Sequence, residues 1–206
     1  VLALFFLSGV LALVYQVVWA RMMTHIFGST ALAVGTVLAG FMAGLALGSW
    51  VAGRIADRTA NCLRLYAWLE IGIAAAAIAV HLLLDGLQSA DSGIYEVLGG
   101  SAGMVALMRF LLVFLLVMAP TLLMGATLPV LTRVLVRRAG ALGGRLSSLY
   151  AVNTFGAVCG VLLTGFYLIG RFGIHAPVYF AVAGNLAVGC IAWLASTRSS
   201  GAGEPA

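Results

Sequence analysis

Lysine is absent from this chain, and only 8% of its 206 residues are charged, where a soluble domain would carry about a quarter. That scarcity excludes a solvated globular surface. The three cysteines, Cys62, Cys159 and Cys190, include no CxxC pair. Their odd number and spacing indicate neither a metal site nor a disulfide framework. A nucleotide-binding fold needs a glycine-rich strand-to-helix turn followed by an acidic residue, and nothing in the sequence offers one. Gly140, Gly143 and Gly144 lie instead in a short Arg-rich loop between two apolar runs. No catalytic residue and no cofactor site can be drawn in this chain. The net charge of +5 does not mark nucleic acid as a partner. The arginines cluster beside apolar runs, where the positive-inside rule accounts for them.

Apolar residues, by contrast, make up 63% of the chain. A helix needs about 20 of them in succession to cross a bilayer, and six such runs can be drawn: Val1 to Trp19, Ala31 to Ala52, Leu65 to Leu84, Val105 to Val136, Ser147 to Ile169 and Ile174 to Ala195. The first is too long for the apolar region of a signal peptide and lacks a small-residue cleavage site, so it reads as a span. The fourth is too long for a simple span. It holds Pro120, Gly125 and Pro129 and is expected to kink or break there, because proline removes a backbone donor and clashes with the preceding turn. Residues 196–206 are small, polar and aperiodic, and read as a polar tail or the start of a linker. The expected architecture is all-α: a polytopic membrane protein with six transmembrane helices over residues 1–195, embedded in lipid.

The second run carries the strongest packing signal. Gly40, Gly44, Gly48 and Ala52 recur every four residues and so share one helix face. Each interior glycine costs roughly 1 kcal/mol relative to alanine in water, but in lipid such a face lets two helix backbones approach closely. Orientation follows from the loops. The second-to-third connection carries Arg54, Arg58 and Arg64 against Asp57, and the fourth-to-fifth carries Arg137, Arg138 and Arg145. The third-to-fourth carries Asp85, Asp91 and Glu96 instead. The Arg-rich pair belongs in the cytoplasm, and both termini with it. A bacterial inner (plasma) membrane is the expected location.

Ionisable residues inside a span are costly and suggest function. With a rise of about 1.5 Å per residue, Glu70, Tyr150, Asn153 and Arg133 fall toward the cytoplasmic side as an inner polar layer. Tyr15, Gln16, Arg21, His81, Arg109 and His175 fall near the outer surface. Glu70 and Arg109 therefore belong to opposite leaflets and are expected not to touch, so Glu70 needs another partner or a proton. Candidate ligand-binding residues are Glu70, Tyr150, Asn153, Gln16, Arg21 and Arg109. The plainer reading of Arg21 and Arg109 is snorkelling to headgroups. That of His81 and His175 is an interfacial position, and that of Asn153 and Asn185 is interhelical glue. Arg133 and Asp57 are placed to pair across the ends of the second and fourth spans, as a weak, partly solvated ion pair.

The segment GRIADR, Gly53 to Arg58, resembles the first half of the loop motif of the major facilitator superfamily. Thr59 to Cys62 then lacks the second glycine of that motif, and Arg64 stands as a displaced basic residue. Six spans with both ends inside also resemble one half of that fold. A fuller resemblance runs through LSGVLALVYQVVWAR (7–21), FGSTALAVGTVLAGFMAGLALGSWVAGRIADR (27–58), LRLYAWLEIGI (63–73), PTLLMGATLPVLTR (120–133) and LYAVNTFGAVCGVLLTGFYLI (149–169). Together these blocks look like the N-terminal membrane domain of fused spermidine synthase-like proteins. The resemblance implies a cytoplasmic aminopropyltransferase-like domain outside these residues, working on decarboxylated S-adenosylmethionine and putrescine or in a related methyltransferase-like way. It also implies a membrane region that anchors that domain and feeds it a polyamine or other small amine. Glu70 would be the amine's counter-ion, with Tyr150 and Asn153 orienting it. Two further readings stay open: a homodimeric half-transporter for a small solute, and a structural subunit of a membrane complex.

Overall fold

The computed structural model describes residues 1–27, 30–89, 102–139 and 143–201, and among them every regular element is helical. With no water in the hydrocarbon core to satisfy peptide groups, an apolar chain of this kind must bond its own backbone locally. Helices α1 (Leu2–Phe27), α2 (Thr30–Arg58) and α3 (Cys62–Ser89) form the first three elements. Helix α4 (Ala102–Ala139) is the longest. Helix α5 (Gly143–Leu163) continues through a π-helical segment, Thr164–Leu168, into the short α6 (Ile169–Phe172), and α7 (Ala176–Gly201) closes the order. Six of the resulting stretches are long and apolar enough to cross a membrane. Gly173 reverses the chain between the last two, at φ 77°, a conformation that costs glycine nothing. Asp91, Glu96, Gly140 and the side chains of Arg137, Arg138 and Arg145 lie outside the described residues.

The expected interruption of the fourth span does not occur as a break: α4 is helical across both Pro120 and Pro129. Hydroxyls in the same stretch add hydrogen bonds to its carbonyls. Thr121 Oγ1 donates to Val117 O at 2.9 Å, and Thr127 Oγ1 to Met124 O at 2.6 Å. Close neighbours are one means by which a membrane helix tolerates proline. At its far end the sixth span is helical through Ser196 and Thr197, whose hydroxyls bond back to Trp193 O and Leu194 O.

Three pairings dominate the packing: α2 with α4, α1 with α5, and α3 with α7. The glycine face of α2 is spent on the first. A side-chain carbon at Gly44 would strike Thr121, one at Gly48 would strike the Leu122 backbone, and one at Gly125 of α4 would strike the Leu45 backbone. A second glycine seam joins α1 to α5. Gly156 and Gly160 lie against the Phe6 and Val10 backbone, and Gly9 lies against Asn153. In both seams small residues allow main chain to meet main chain, which maximises dispersion contact where lipid offers no hydrophobic driving force.

Candidate functional site

Among the described residues, a chain of three buried polar side chains crosses three helices. Tyr15 on α1 donates from Oη to Asn185 Oδ1 at 2.8 Å, and Asn185 on α7 donates from Nδ2 to Glu70 Oε2 on α3 at 2.5 Å. All three side chains are buried, Glu70 and Tyr15 at 0% exposure and Asn185 at 1%. Tyr15 also stacks on Trp19, ring centroids 5.3 Å apart, which holds its hydroxyl in one direction. Two more hydroxyls, those of Ser8 and Tyr66, face the carboxylate. Both hydroxyls stand within reach of the carboxylate, but neither makes a well-formed bond to Glu70 Oε1, which is buried without one, and Tyr66 Oη also lies 3.4 Å from Leu4 O. A carboxylate with one satisfied and one empty oxygen in low dielectric is expensive. It is therefore a natural place for a proton or a cation.

This arrangement corrects the two-layer reading. Tyr15, expected near the outer surface, belongs to the same cluster as Glu70. The linear estimate measured depth from the end of an apolar run, whereas packing sets how far each helix slides along its neighbours. Arg109 is absent from the cluster, as expected, since Glu70 takes Asn185 on one oxygen and nothing on the other. His81 and His175, expected in one layer, do lie together: His81 is buried at 1% exposure, and its Nε2 stands 3.2 Å, within hydrogen-bond distance, from Nδ1 of the exposed His175 just before α7.

Beside Glu70 lies a cavity of about 400 Å³ between α1, α2, α4 and α5. Its wall includes Ser8, Thr127, Tyr150 and Asn153 among apolar side chains such as Phe5, Phe41 and Met124. Ser8 belongs to both features, lining the cavity while facing the carboxylate. Tyr150 and Asn153, two of the sequence candidates, thus share a cavity with each other, and Glu70 stands behind its wall. Gln16 is half-buried on α1, outside that wall, and Arg109 is half-buried on α4. Arg21 lines a separate pocket of about 380 Å³ with Thr24, Thr30 and Gly165.

A third cleft, about 440 Å³, runs along α2 and α4 to their Arg-rich ends. There Arg133 Nη1 stands 3.7 Å from Asp57 Oδ1, both side chains being well exposed. The expected pairing of these residues is present, with the loose geometry of a solvated ion pair. Ser49 and Leu128 wall both this cleft and the cavity beside Ser8, so the two are neighbours along the α2–α4 seam.

Ser8, Tyr66 and the bonding role of Asn185 escape a reading of the chain alone. Weak signals do exist: Tyr66 and Glu70 are four apart and Ser8 and Tyr15 seven apart, spacings that share a helix face. Among the described residues no three His, Cys, Asp or Glu side chains converge to hold a metal ion. No family model, curated protein or solved structure matches this chain.

Proposed function

We propose that this chain is a membrane domain that binds a small cationic amine, with Glu70 as the counter-charge and Ser8, Tyr150 and Asn153 forming the polar part of the binding wall. The observation that carries the reading is the empty oxygen of Glu70, buried behind Ser8 at the edge of a cavity. An ammonium group in that cavity gains an anion that nothing else in the described structure neutralises. The resemblance to spermidine synthase-like membrane domains gives this region a second role, as the anchor of an aminopropyltransferase-like cytoplasmic domain.

The proposed setting is a bacterial inner membrane with both termini in the cytoplasm. The Arg-rich ends of α2, α3 and α7, which the positive-inside rule places in the cytoplasm, carry tryptophan–arginine contacts that suit a membrane–water boundary on either side. Arg54 lies 4.1 Å from the Trp50 ring centre and Arg64 4.5 Å from that of Trp193.

A second reading, a half-transporter resembling one half of a major facilitator fold, is favoured by a different observation. Exchanging the first three spans for the last three turns the α2–α4 pair into the α5–α1 pair and leaves α3–α7 unchanged. Three-helix units related in this way have opposite topology, as in transporters built from inverted repeats.

One experiment separates the two. Glu70→Gln keeps the shape of the side chain and its bond to Asn185 but removes the charge. The variant should fold as the parent does and lose amine binding in detergent. Amine flux through the parent in liposomes supports the half-transporter, and binding without flux supports the anchoring domain. Equal amine binding by parent and variant would remove Glu70 from the site.

A further inference from the structure

Resting on the amine-binding reading above, we infer that the site accepts an organic cation with a single positive charge and an apolar body, and excludes short diamines and polyamines. The described residues lining the cavity include five polar side chains, Ser8, Ser49, Thr127, Tyr150 and Asn153, and not one charged group. Among the described residues the carboxylate adjoining it is Glu70, reached through Ser8.

A serine hydroxyl has one proton to give and lone pairs to accept. Ser8 can therefore accept from an ammonium group in the cavity while donating to the empty Glu70 Oε1. One ammonium is thus neutralised across one hydroxyl, and the orphaned oxygen gains its bond.

A second ammonium on the same short chain meets a different wall. Away from Ser8 the described lining offers neutral groups alone, the hydroxyls and amide of Ser49, Thr127, Tyr150 and Asn153 set among Phe5, Leu13, Phe41, Met42, Leu45 and Met124, and no second counter-charge. The next acidic residue toward the Arg-rich end is Asp57, eight residues beyond Ser49 on α2. That is about 12 Å along the helix at 1.5 Å per residue, and Asp57 already faces Arg133. A charge taken from water into apolar surroundings without a partner costs several kcal/mol, whereas methylene groups in the same place are favourable. The wall therefore rewards hydrocarbon and penalises a second charge.

Hexylamine and hexamethylenediamine test this, since they share a six-carbon chain and differ only in a terminal ammonium, with hexanol as the neutral control. Binding is measured by titration calorimetry on the full chain in nanodiscs, with Glu70→Gln nanodiscs as the background for partition into lipid. Hexylamine should bind about tenfold or more tightly than the diamine and more tightly than hexanol. Ser8→Ala should weaken hexylamine binding, while Ser8→Thr, which keeps the hydroxyl, should retain it. Diamine binding equal to or tighter than hexylamine, lost in Glu70→Gln, overturns this inference and leaves the Glu70 reading standing. Hexanol binding as tightly as hexylamine overturns the role of charge. A folded parent that binds neither amine overturns both readings.

Discussion

Asn185 holds two buried groups at once, accepting from Tyr15 and donating to Glu70, so its side chain is the residue on which the polar cluster depends. Replacing it with leucine leaves a tyrosine hydroxyl and a second carboxylate oxygen unpaired in the interior. Asn185→Leu should cost about 2 kcal/mol, toward the upper end of what interhelical hydrogen bonds contribute in membranes. Reversible unfolding in mixed micelles measures the loss. Thr154→Val, at an exposed site on α5, is the control and should change little. Glu70 itself was legible in the sequence as an ionisable residue within an apolar run. Its partners were not, because Tyr15 and Asn185 lie 170 residues apart in the chain and no local spacing connects them.

Among the elements, α2 shows how a repeat of small residues becomes a contact. Its four-residue glycine spacing specifies a bare face, and the structure assigns that face to α4, with Thr121 Oγ1 approaching Gly40 O at 3.4 Å. Gly48→Leu should therefore force α2 and α4 apart, at a cost of about 3 kcal/mol, the upper range for overpacking. Gly35→Leu and Gly53→Leu, at positions with open space around the missing side chain, should leave the melting temperature in detergent nearly unchanged. If all three variants melt together, the seam is not where the helices are held. The matching seam of Gly156 and Gly160 on α5 rests on one pair four residues apart, a weaker signal than the four-member repeat of α2. Its weight only emerges when the Phe6 and Val10 backbone is found against it. The prolines of α4 were legible as a place where the helix kinks or breaks, and only the structure shows that it does not break there.

For the whole molecule, six membrane-length helices return the chain to the side on which it began, whichever side that is. A thiol at Ala60, an exposed position between α2 and α3, and one at His175, exposed before α7, must then react from opposite faces of the membrane. With an impermeant maleimide on intact cells, His175→Cys should label and Ala60→Cys should label only after lysis, above the background of the native cysteines. The reverse pattern would invert the positive-inside assignment and place the Asp57–Arg133 end outside. Composition, run length and the small-residue period by themselves determined that the chain is helical, has six stretches long and apolar enough to cross a membrane and carries a face built for close packing, because these depend on transfer free energy and on periodicity along one helix. Only the tertiary structure decided that Tyr15 reaches Glu70 through Asn185, that His81 is buried against His175, and that Ser8 stands between the carboxylate and a cavity. Those contacts depend on how far each helix slides and turns against its neighbours, and that is set by packing between residues far apart in the chain.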